Sequence, residues 1–134
     1  MRAANCFFDS NVLLYLLSAD ESKANRSEAL LGKGGHISVQ VLNECAAIAT
    51  RKLSLSLSEV REFLAPIRSL CRVHSLTEET HDLGIELAER FHLSFYDAMI
   101  MSSALLAGCK TLFSEDMQHR QVINESLTIL NPYF

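Results

Sequence analysis

From the amino end, the chain alternates short apolar runs with longer stretches whose apolar residues recur every three or four positions. The run Ala3 to Phe8 stops at Asp9-Ser10-Asn11, and its length and aromatic content predict a buried strand. Val12, Leu13, Tyr15, Leu16 and Leu17 follow at helical spacing, with an Asp or Ser before them as cap. Ser22 to Lys33 reads as a polar helix ending in Gly32-Lys33-Gly34-Gly35. His36-Ile37-Ser38 reads as a short strand that leads into a helix from about Val39 to Arg51.

The second half repeats the pattern. Ser56-Leu57-Ser58-Glu59 has the form of a capping box and opens a helix towards Leu70, which Pro66 should kink or interrupt. Cys71 to His74 suits a third strand. Thr77-Glu78-Glu79 starts a helix with acid at its amino end, where the helix dipole favours it, running to about Phe91. Ser94-Phe95-Tyr96-Asp97 begins a very apolar helix that closes at Gly108. Lys110 to Phe113 is a fourth strand, and Leu127 to Leu130 a last one. Strands alternating with helices over residues 1–134, with neither linker nor repeat, predict a single α/β domain around a parallel sheet of four to five strands.

Composition narrows the class. A chain of 134 residues, 49% hydrophobic and 21% charged, with five Gly and two Pro, is globular and excludes disordered and low-complexity classes. The net charge of −4 argues against a broadly basic surface for nucleic acid. That charge is uneven: nine basic and seven acidic residues precede residue 75, and three basic and nine acidic residues follow. Cys6, Cys45, Cys71 and Cys109 are widely spaced among apolar neighbours and read as buried thiols in a reducing compartment. No apolar run reaches membrane-span length, and the polar Asp9-Ser10-Asn11 breaks any leader-like stretch, so a soluble, cytoplasmic protein is expected. The five histidines share no ligand spacing, although His119 falls three residues past Asp116. Tyr15, Phe95 and Tyr96 are assigned to core packing ahead of base stacking.

In parallel α/β sheets, ligands bind at the carboxyl ends of the strands. Asp9 directly follows the first strand, where it suits a site or a helix cap equally. Glu44 borders the apolar arc of its helix and has no basic residue three or four positions later. Asp97 is the sole charged residue between Leu93 and Cys109, on a helix apolar nearly all round. Asp116 follows the fourth strand, and spacing alone does not choose between it and Glu115. Together, these acids converge on one crevice if the fold holds. Two carboxylates about 5 Å apart repel by about 3 kcal/mol at an effective dielectric near 20. Such a cluster needs protons or cations, and oxygen-only ligands select hard ions such as Mg²⁺ or Mn²⁺.

Four segments also resemble successive motifs of the PIN domain, with the nearest likeness to VapC-type toxins of bacterial toxin–antitoxin pairs. They are Phe7-Phe8-Asp9-Ser10-Asn11-Val12-Leu13-Leu14-Tyr15, Ile37-Ser38-Val39-Gln40-Val41-Leu42-Asn43-Glu44, Leu93-Ser94-Phe95-Tyr96-Asp97-Ala98 and Leu112-Phe113-Ser114-Glu115-Asp116-Met117. The resemblance implies an α/β/α sandwich and a metal-dependent endoribonuclease using Mg²⁺ or Mn²⁺. It implies an antitoxin that occludes the site, and a homodimer. It makes Asp9, Glu44, Asp97 and Asp116 the acidic quartet, prefers Asp116 to Glu115, and adds Asn11 and Ser114 as polar helpers. RNA would approach through Arg51, Lys52, Arg61, Arg68 and Arg72, the main basic cluster. The apolar helices Val12–Leu17 and Ser56–Leu70 are candidates for partner contact. Two alternatives stand beside this reading. One is a PIN-like module that binds RNA or antitoxin without cutting. The other is a phosphatase with Asp9 as nucleophile, weakened because Asn11 stands where that scheme wants a second Asp.

Overall fold

The computed structural model describes residues 4–134. The predicted strand start at Ala3 lies outside them. Strand β1 spans Cys6–Phe8, followed by helix α1 (Ser10–Leu14), a 3₁₀ turn at Tyr15–Leu17, and α2 (Glu21–Leu31). Strand β2 (Gly35–Ser38) feeds α3 (Val39–Lys52), which pairs with α4 (Leu57–Leu70) before β3 (Cys71–His74). Helices α5 (Glu78–Phe91) and α6 (Phe95–Leu106) lead to β4 (Thr111–Phe113), then β5 (Val122–Ile123) and β6 (Leu127–Leu130).

The sheet runs β3-β2-β1-β4-β6-β5, parallel except where β5 meets β6. Consecutive strand residues point to opposite faces. Phe7 and Phe8 are both fully buried, so both faces of β1 are covered by helices. This is the expected sandwich with a parallel centre, but it has six strands among the described residues instead of four to five. The unforeseen strand, β5, is two residues long and leaves no alternation to read. Its hairpin turns through Asn124 and Glu125, both at positive φ, and Ser126 N–H donates to the Ile123 carbonyl. That two-residue turn usually advertises itself by Asn-Gly, which is absent here.

Local signals otherwise act as expected. Ser56 and Glu59 close a reciprocal capping box on α4, and Ser38 caps α3 by accepting from Val41 N–H. Pro66 lies inside α4 without ending it. It occupies an exposed position, where water can satisfy the carbonyl that loses its partner. Cys45, Cys71 and Cys109 are buried, and burial pushes each thiol up to about 12. Among the described residues no helix is long and apolar enough to cross a membrane.

Close approach of β1 to β2 depends on Gly35. A Cβ there would stand 2.5 Å from Phe8 Cε2 and 3.0 Å from the Cys6 carbonyl oxygen. Gly35→Ala therefore overpacks the sheet and should lower unfolding free energy by about 1–3 kcal/mol. Urea denaturation checks this, and an unchanged midpoint would show that the sheet yields there.

Candidate functional site

The β1–β4 register places Phe8 opposite Phe113, so Asp9 and Ser114 are the next residues beyond the pair. Asp9 N–H donates to the Phe113 carbonyl at 3.0 Å, which carries the pairing to the carboxyl edge. There the Asp9 carboxylate is only 5% exposed. It accepts from Ser114 Oγ at 2.7 Å, Ser10 N–H at 2.7 Å and Asn11 Nδ2 at 3.4 Å. The Ser10 contact makes Asp9 the cap of α1 as well, so its two sequence-level roles coexist. Burial raises its pKa to about 6; the Ser114 and Ser10 hydrogen bonds oppose the rise, and the charges of Glu44 and Asp97 add to it.

Glu44 and Asp116 are tied to this centre by short polar side chains. Ser10 Oγ donates to Glu44 Oε1 at 3.0 Å and lies 3.5 Å from Asp9 Oδ1, bridging the two. Asn11 Nδ2 donates to Asp116 Oδ2 at 3.1 Å while reaching Asp9. Gln40 Nε2, one helical turn before Glu44, donates to Glu44 Oε2 and to the Tyr96 carbonyl, both at 3.1 Å. It thereby links α3 to the start of α6. Ser10 and Gln40 were missed in the sequence reading. Gln40 was legible as the i,i+4 partner of Glu44.

Asp97 lies on the first turn of α6 and is half-buried. Its backbone N–H donates to Ser94 Oγ at 3.3 Å. Among the described residues its carboxylate has no hydrogen-bond partner, so the reciprocal half of a capping box is missing. Glu115 and Asp116 diverge. Glu115 Oε2 accepts from Lys23 Nζ at 2.6 Å, and Tyr15 OH donates to its other oxygen. Burial works against that charge, but Lys23 and Tyr15 hold the carboxyl below its usual range. The Glu115 backbone N–H donates to Asn11 Oδ1 at 3.2 Å, so this loop also fixes Asn11.

Three other expectations meet their surroundings here. His119 Nδ1 accepts from Asn131 N–H, and its ring stacks on Phe134 instead of entering the crevice. Tyr15 is held by its hydroxyl, but Tyr96 is 68% exposed beside Asp97 and not in the core. It meets Phe95 edge-on, which in turn meets His81, giving an aromatic rim. Of the five basic candidates, all exposed, Lys52 lines a groove of about 270 Å³ with Asn11, Leu14, Tyr15 and Leu17. Arg72 lies at the amino edge, in a cavity with Asn5 and Gly34, and Arg68 occupies the turn of α4 that enters the same edge.

Among the described residues no three Asp, Glu, His or Cys side chains form a ready-made metal cage. The donor set nevertheless fits a hard divalent ion: it is all oxygen, and it includes the buried Asp9 carboxylate, which has no cationic partner among the described residues. Asp9, Glu44, Asp97 and Asp116 are the residues that would supply the oxygens.

Asp9, Glu44 and Asp116 thus meet through shared hydrogen bonds at the carboxyl edge of a mostly parallel α/β sheet. The PIN domain family model matches residues 6–124, and the chain belongs to that family. Its fold matches that of a toxin–antitoxin complex from Klebsiella pneumoniae with a TM-score of 0.71 at 18% identity, covering 96% of this chain and 98% of that one. The sarcin–ricin-loop-cleaving toxin VapC20 of Mycobacterium tuberculosis matches with a TM-score of 0.66 at 20% identity, over 83% of this chain and 91% of that one. FitAcB from Neisseria gonorrhoeae matches with a TM-score of 0.69 at 15% identity, over 96% and 98%. No curated protein sequence matches the chain.

The raised Asp9 pKa has a stability consequence. Between 3.8 and about 6 the folded state binds more protons than the unfolded one, so stability falls as pH rises through this window. In EDTA, Asp9→Asn should raise stability near neutral pH by on the order of 3 kcal/mol and change little at about pH 4. Thermal unfolding at both pH values reads this, and equal effects at both would contradict the assignment.

Proposed function

We propose that this chain is a divalent-metal-dependent endoribonuclease and the toxin of a toxin–antitoxin pair. The observation that carries the reading is the set of acids at the carboxyl edge: Asp9, Glu44 and Asp116, distant in sequence, share hydrogen bonds through Ser10 and Asn11, and the Asp97 charge reaches Asp9. Membership of the PIN family and the toxin folds it resembles support the reading.

Asp9 and Asp97 are the direct ligands on this reading, with Glu44 and Asp116 completing the set. When bound, Mg²⁺ or Mn²⁺ makes water a better nucleophile at neutral pH and offsets charge on the scissile phosphate. Ser114 and Ser10 fix the Asp9 oxygens, so the central ligand meets the ion without first reorienting. Asn11, pinned by the Glu115 N–H, holds Asp116. Lys23 and Tyr15 hold Glu115 apart, which leaves Asp116 as the acid of that loop facing Asn11. Tyr96 offers a ring for stacking an unpaired base beside Asp97, and Lys52 a cation for a flanking phosphate.

The groove between Asn11, Leu14, Leu17, Ile48 and Leu53 is mostly apolar and adjoins the acids, so it suits an antitoxin segment that shuts the crevice. The domain has the size and motifs of a cytoplasmic toxin that assembles as a homodimer with its antitoxin.

The test is cleavage of cellular RNA with Mg²⁺ or Mn²⁺. EDTA should abolish it, and Asp97→Asn should lower it by about a hundredfold or more. Full activity in either control excludes the mechanism, and tight RNA binding without products favours a non-catalytic PIN module. Tyr96→Ala should raise KM for single-stranded RNA several-fold with kcat nearly unchanged, and Tyr96→Phe should restore it. A fall in kcat alone would remove the stacking role.

A further inference from the structure

A wide concavity lies at the opposite end of the strands from the acids. It encloses about 660 Å³ and is lined by Asn5, which precedes β1, by Gly34, which precedes β2, and by Cys71, which opens β3. Besides Asn5, its polar side chains are Lys33, His36, Ser69 and Arg72, with no carboxylate among the lining residues. A volume of roughly 300–1,000 Å³ suits a small ligand. Among the described residues neither Lys33 nor Arg72 has an ion-pair partner. Two cations facing one cavity without a counter-charge repel each other and favour an anion between them.

The sheet itself organises this wall. His36 pairs with Arg72 and Ser38 with His74 in a parallel register, so all four side chains lie on one face. Strand β3 is the sheet edge, which leaves that face open on its outer side. His36 Nδ1 and His74 Nε2 stand 2.8 Å apart and share one proton, with the rings stacked at 5.0 Å. Burial holds both imidazoles below their usual pKa, and the Arg72 charge adds to this in each. Arg72 is therefore near both rings, and an anion that neutralised it would be felt by both.

A smaller cavity of about 260 Å³ adjoins the first at Ala107 and is lined by His74, Thr77, Thr80 and Ser103. Ser103 is 4% exposed, and its hydroxyl has no hydrogen-bond partner. Such a group ordinarily finds one. Glu79 also borders this smaller cavity, so the anion belongs in the larger one, with the smaller one left for a neutral, hydrogen-bonding part of the same ligand.

We propose that the amino-edge cavity binds a small phosphate-bearing anion of mononucleotide size, with Arg72 and Lys33 contacting the phosphate and Ser69 beside them. Arg72 can grip phosphate oxygens in a two-pronged manner, and Lys33 adds a point charge. The site shares no residue with the acidic crevice, so its occupancy does not depend on the nuclease reading.

The experiment is titration of the full chain with inorganic phosphate and with AMP. It is followed by calorimetry and by the ring resonances of the five histidines. Saturable binding should shift His36 and His74 and leave His92 and His119 in place. Arg72→Gln should weaken AMP by about tenfold or more, the value of one charge-assisted hydrogen bond. Arg72 is exposed, so that variant keeps the core intact. Arg90→Gln removes the same charge from a side chain bonded to Asn124, by the β5–β6 hairpin, and should bind as the wild type does. Absence of saturation, equal losses in both variants, or shifts confined to other histidines would overturn the proposal. If neither small anion binds and a 5′-hydroxyl oligoribonucleotide shifts His36 and His74, the free-anion site is likewise refuted and the cavity grips an RNA backbone.

Discussion

The rest of this site depends on a charge held at the end of a buried strand. Asp9 sits where β1 leaves the core, is nearly inaccessible to water, and has no cation beside it among the described residues. An isolated carboxylate in such a place is costly, so its oxygens must find donors. They find them in Ser10, which follows it in the chain, and in Ser114, which the β1–β4 register brings alongside. A slip of one residue in that register would turn Ser114 to the other face of the sheet. Sheet pairing thus decides how well the acidic centre is solvated by the protein. The tight packing of Gly35 against Phe8, which admits no extra atom, sets β2 against the same strand.

From that centre the other acids are arranged by contrast. Glu115 and Asp116 are adjacent, yet one is neutralised by Lys23 and Tyr15 and the other is held only by an amide. Glu44 has both oxygens occupied by neutral donors, and Asp97 has neither. Donors without charge orient a carboxylate but leave its negative potential in place, whereas an ammonium cancels it. The crevice is therefore electrostatically unfinished around Asp9, Glu44, Asp97 and Asp116. It is finished at Glu115, a residue the spacing alone could not separate from its neighbour.

Most of the architecture was legible because its signals are local. Apolar runs of strand length, capping boxes at Ser56 and helix starts at Ser38 and Thr77 are written within a few residues. Strand β5 was not, since two residues held by a positive-φ turn carry no period. The acids were legible as charges out of place beside apolar segments. Ser10 was not, because an uncharged polar residue near a helix start has many ordinary uses. Tyr96 misled for a related reason: an aromatic within an apolar helix reads as core. Its position in the first turn, before the helix is covered, leaves it open to water.

The net charge of −4 conceals a separation along the strands. Carboxylates gather at the carboxyl edge, and Lys33 and Arg72 face a cavity at the amino edge. Strands of three or four residues span roughly 10–13 Å at about 3.3 Å per residue. Charges separated by more than the Debye length, about 8 Å at physiological salt, are largely screened from each other. Cations at the amino edge therefore contribute little to the potential in the acidic crevice, and cannot draw a polyanion into it. Any nucleic acid that reaches Asp97 must be held by what stands beside Asp97. There the surface offers exposed aromatic rings at Phe95 and Tyr96, and Lys52 stands in the groove that Asn11 lines. Stacking is indifferent to salt, whereas attraction to phosphate is not. A binding surface weighted towards rings would lose less affinity in salt than a basic one, and would favour unpaired bases over duplex, whose stacked bases leave no face free.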